Sequence, residues 1–82
     1  MTAAEHQQHT AIATHPDTVA ALATVAGQWA IVRQTKHRRG TRAWGFRSER
    51  DARQAWSRTF LRDGWALLVG DDGRERDRQV AP

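Results

Sequence analysis

Eighty-two residues, no cysteine and a formal charge of +4 bound the chain to one small domain held by packing alone. Disulfide staples and thiolate metal sites are excluded. No apolar run approaches the ~20 residues of a membrane-spanning helix.

The distribution of charge says more than its total. Residues 1–32 carry Glu5 and Asp17 and no cationic side chain, a net −2. Residues 33–62 carry ten cationic against two acidic side chains, a net +8, and residues 63–82 carry three against five, a net −2. A positive middle between two acidic ends points to a polyanionic partner. The competing explanation is compositional. Twelve Arg against one Lys, many Ala, and neither Asn nor Tyr is what GC-rich coding produces.

Residues 1–15 have no hydrophobic period and read as a flexible arm preceding a single domain over 16–80. The arm lacks the basic-then-apolar layout of a signal peptide, so the expectation is a cytoplasmic protein outside the membrane. His6 and His9 could share a helical face, but no further residue completes a ligand set. Neither a metal nor a cofactor is expected.

Pro16, Asp17 and Thr18 look like a helix start, with Asp17 or Thr18 as the cap. Val19, Leu22, Ala23 and Ala26 recur at helical spacing and Gly27 is a stop, which predicts a helix over 17–26 that docks on a sheet or on a partner. Gln28 to Thr35 is a β-branched apolar run, the first strand. Lys36 to Gly40 is a basic loop, and Thr41 to Arg47 returns as the second strand. Its alternation puts Arg42, Trp44 and Phe46 on one face, with Trp44 and Phe46 expected in the core. Gly45 marks a bulge or a close approach of another backbone.

Ser48-Glu49-Arg50-Asp51 follows capping-box logic and opens a helix over 49–62. Ala52, Ala55, Trp56, Thr59 and Phe60 trace its inner face, with Trp56 and Phe60 as the core knob. Trp65 to Val69 is a central strand. Gly70-Asp71-Asp72-Gly73 is a turn, and the charge-alternating Arg74 to Val80 is an optional edge strand. The fold class expected is α+β in the order α-β-β-α-β(-β), one helix packed across a small antiparallel or mixed sheet.

No enzyme is expected. Ser48 and Ser57 lack His and Asp partners, and Asp71 and Asp72 lack the oxygen spacing of a calcium loop. The expected function is nucleic-acid binding, DNA ahead of RNA, through Arg33, Lys36, Arg38, Arg39, Arg42, Arg50 and Arg53. Arginine forks engage phosphates bidentately, and a basic two-stranded ribbon fits a major groove. The alternative is a protein-binding modulator of a host defence or transcription complex, since Trp and Arg are enriched at binding hot spots. Homodimerisation by sheet extension is a further expectation.

The tract Gln28-Trp29-Ala30-Ile31-Val32, then Gly40, then Gly45-Phe46-Arg47-Ser48 and Ala52, resembles the strand–strand–helix core of AP2-like arm-binding domains of phage-type integrases. That family has three strands before its helix, and this chain has two. The resemblance implies DNA binding. Val19-Ala20-Ala21-Leu22 leading to Gly27-Gln28-Trp29-Ala30 is similar to the opening of small uncharacterised proteins of actinobacteria and their phages. That similarity implies a mobile-element protein and supplies no activity.

Overall fold

A computed structural model describes residues 15–35 and 38–81, with the backbone alone for Thr35, Arg38 and Arg39. Of the expected N-terminal arm, only His15 falls among the described residues. The elements run α1 (Pro16–Ala23), β1 (Trp29–Thr35), β2 (Arg38–Phe46), α2 (Glu49–Ser57), β3 (Trp65–Val69) and β4 (Glu75–Val80). The strands form one antiparallel sheet in the order β2-β1-β3-β4. The fold is α+β in the order α-β-β-α-β-β, so the optional last strand forms and takes one edge. No described helix is long and apolar enough to cross a membrane.

The central strands β1 and β3 are apolar on both faces because each face is covered by a helix. Alternation sends Ile31, Ala66 and Leu68 to one side, where they pack with Ala52, Trp56 and Leu61 of α2 and the loop after it. Val32, Leu67 and Val69 go to the other side, against Ala21 and Leu22 of α1. The first helix therefore docks on the sheet.

Its inward stripe differs from the expected one. Thr18, Ala21 and Val25 are buried, whereas Val19, Ala23 and Ala26 are exposed. The small side chains of Thr18 and Ala21 let the helix axis approach the sheet closely, and that closeness outweighs the bulk of Val19. The cap also differs: the backbone N–H of Asp17 donates to Nδ1 of His15 at 3.2 Å, one residue before Pro16.

The second helix begins as expected. Ser48 is extended at φ −146°, ψ 160°, and its Oγ accepts from the Asp51 N–H at 3.1 Å. The helix stops at Ser57, five residues short of the expected end. Its last turn is closed by Arg58 N–H to Ala55 O and Thr59 N–H to Trp56 O. The hydroxyls of Ser57 and Thr59 donate to Gln54 O at 2.7 Å and Ala55 O at 3.0 Å. Side chains that compete for backbone carbonyls favour ending the helix here. In the loop that follows, Leu61 turns inward and Phe60 is 76% exposed, so Phe60 is not part of the core. Trp56 is buried as expected, and its indole N–H donates to Asp77 of β4 at 2.9 Å.

The expected basic loop is shorter than residues 36–40, because β2 begins at Arg38. Register pairs Arg33 with Arg42 and Thr35 with Arg38, so Arg39, Gly40 and Thr41 answer Gln34 alone. The extra residues form a bulge, and Gly40 takes φ +89° within it, a conformation that favours glycine. At Gly45 the nearest neighbour to an added side chain is the side chain of Gln28.

Candidate nucleic-acid interface

The β1–β2 ladder lines up three rungs on one face, and two candidate residues, Arg33 and Arg42, form the last of them. Trp29 stands opposite Phe46, Ile31 opposite Trp44, and Arg33 opposite Arg42, all on the α2 face. Directly opposite residues have Cβ atoms about 4.5–5.5 Å apart. Arg33 and Arg42 therefore form a like-charge cross-strand pair, one rung beyond Trp44.

Among the described residues no carboxylate is ion-paired with either guanidinium. Arg42 is exposed. Arg33 is half-buried, and its Nε is shielded from solvent with no hydrogen-bond partner. A shielded N–H of this kind costs about 1–3 kcal/mol unless an acceptor reaches it. The pair is short of an anion on two counts, repulsion and an unmet donor.

Trp44 corrects an expectation. It is 45% exposed and lies outside the cluster beneath α2, although its rung partner Ile31 is buried within it. Of β2, Phe46 packs against that cluster, whereas Trp44 two residues earlier does not. Sequence alternation gave the correct face for Trp44 but could not show where the helix above that face ends.

Arg53 is placed differently from Arg33 and Arg42. Its Nε donates to Oε2 of Glu49 at 2.6 Å, one helical turn earlier, and its guanidinium lies 5.5 Å from the ring centroid of Trp29. Arg76 of β4 approaches the same ring, also at 5.5 Å. Both groups are engaged in holding the half-buried indole, and an ion pair already neutralises each. Trp29 is four residues from Arg33 along β1, about 13 Å. Arg53 thus belongs to the opposite end of the face.

Arg50 is exposed on α2 and has no ion pair among the described residues. Lys36 lies outside the described residues. Arg38 and Arg39 lie on the backbone of β2, continuing the ribbon past the Arg33–Arg42 rung. Arg47, just after β2, is exposed and was not among the candidates. It follows Phe46 at the Trp29 end of the ladder, away from the Arg33–Arg42 rung.

No described group of His, Asp and Glu is arranged to hold a metal ion. Comparison with protein-family models, curated proteins and solved structures finds no match.

Proposed function

We propose that this chain is a non-enzymatic nucleic-acid-binding protein whose β1–β2 ribbon contacts the phosphate backbone. The observation that carries the reading is the Arg33–Arg42 rung: two arginines directly across the ladder, with no ion pair to a carboxylate among the described residues. An incoming phosphate relieves their repulsion and accepts from the exposed Arg42 guanidinium. Arg38 and Arg39 extend the same ribbon, Lys36 precedes them in sequence, and Arg50 adds charge from α2. DNA stands ahead of RNA through the resemblance to integrase arm-binding domains, and the mobile-element setting rests on the second resemblance. Five or six phosphate contacts give a log–log salt slope of about −5 on duplex DNA.

The test is fluorescence anisotropy with labelled duplex and single-stranded oligonucleotides at about 50 and 200 mM salt. Wild type binds at low salt and weakens tenfold or more at high salt, and Arg42→Glu binds weakly at both. Equal binding by wild type and Arg42→Glu overturns the site. Absence of binding at low salt overturns the function, and the protein-binding alternative is then the one to pursue, since exposed Trp44 beside Arg42 is also a hot-spot pairing.

A further inference from the structure

We infer, on the footing of the nucleic-acid reading, that the ligand is unpaired: Trp44 is a stacking platform for a single-stranded base, and the Arg33–Arg42 rung holds a neighbouring phosphate. The geometry has three parts. The indole is nearly half exposed on an open part of the sheet face. Arg42 lies two residues away on the same strand and face, about 7 Å along it, and Arg33 lies diagonally across the ladder. On the other side of Trp44 along the strand, Phe46 is half-buried and packs against the core, which anchors this end of β2.

An aromatic ring flanked by cations is the arrangement that binds single strands, because a free base offers its π face while the backbone stays near the charge. In a duplex the base faces are stacked on one another, and the indole reaches them only at an end. The cation pair also separates this surface from a docking site for a neutral apolar peptide. That partner would leave two unpaired guanidiniums crowded beside it.

The measurement is anisotropy with fluorescein-labelled oligothymidylate of about twelve nucleotides, within the span of one small binding domain, against a duplex of equal length. Wild type binds the single strand more tightly. Trp44→Ala weakens single-strand binding tenfold or more and duplex binding less than twofold, and Trp44→Phe retains most of the single-strand affinity. Far-UV circular dichroism and the thermal midpoint check that the variants fold. A second readout is tryptophan fluorescence: the single strand quenches wild type more than Trp44→Phe. Single-strand affinity that survives Trp44→Ala, or a preference for duplex, overturns the stacking site and leaves the phosphate-binding reading intact. Failure of both probes to bind wild type removes both readings.

Discussion

Arg33 of β1 and Arg42 of β2 stand directly across the ladder from each other, on the face that carries Trp44. Like charges in this position destabilise a sheet, by about 0.2–1 kcal/mol. Folding therefore sets two like charges on opposite sides of one rung, an arrangement that a nearby anion would offset.

The first expectation follows from that sign. Arg42→Thr keeps a good strand residue and removes the repulsion, so the unliganded variant is more stable than wild type by a few tenths up to about 1 kcal/mol. Added salt screens the pair and stabilises wild type more than the variant. Urea denaturation at low and high salt measures both effects. A lower midpoint for Arg42→Thr, or a gap that salt leaves unchanged, rules out the repulsive rung.

A second expectation concerns the tie between α2 and the edge of the sheet. The indole N–H of buried Trp56 donates to Oδ2 of Asp77 at 2.9 Å, and Asp77 also takes the Arg78 N–H on Oδ1 at 2.8 Å. Asp77→Ala leaves a largely buried N–H unpaired and costs about 1–3 kcal/mol. Trp56→Phe removes the donor and part of the core volume, with a cost of about 2–3 kcal/mol. The double variant is less destabilised than the sum of the two, with a coupling of about 1–2 kcal/mol. Additive losses in a denaturant-melt cycle show that the bond contributes nothing.

Most of the architecture was legible because the elements are punctuated locally. Ser48 caps where its spacing to Asp51 says it should and the apolar runs of β1 and β3 are central, but Gly27 and Gly64, read as helix stops, take φ +79° and +76° four and seven residues past the helix ends at Ala23 and Ser57. What the sequence hid are tertiary outcomes. Trp44 and Phe60 sit at apolar positions of correct period, yet both are exposed, because α2 ends at Ser57 and covers only part of the sheet. The inward side of α1 was misread because Ala-rich helices have nearly equivalent faces, and close docking selected the one with Thr18 and Ala21. The site was half legible. A list of Arg positions could not separate Arg53, occupied by Glu49 and Trp29, from Arg33 and Arg42, which register alone makes neighbours.

The last expectation is a pH dependence at the β3–β4 turn. Asp72 Oδ1 accepts the backbone N–H of Arg74 at 3.0 Å, and its Oδ2 accepts from Nη2 of Arg76, also at 3.0 Å. The Arg74 N–H bond, helped by the Arg76 and Arg74 guanidinium charges, holds the carboxyl below its ordinary value. A carboxyl depressed in the folded state adds stability that is present above the unfolded pKa, about 3.9, and lost as pH falls through the lower folded value. Asp72→Asn keeps an oxygen for the Arg74 N–H and removes the charge. Wild type is therefore more stable than Asp72→Asn at neutral pH, and the two converge in acid. The same carboxylate positions Arg76 against the Trp29 ring, so the fluorescence of Trp29 shifts over the same acidic range in wild type and stays level in the variant. Denaturant midpoints from about pH 6 to pH 2 decide the matter across the carboxylate titration. A gap that persists or widens toward pH 2 means that Asp72 acts through the shape of the turn, with its charge idle.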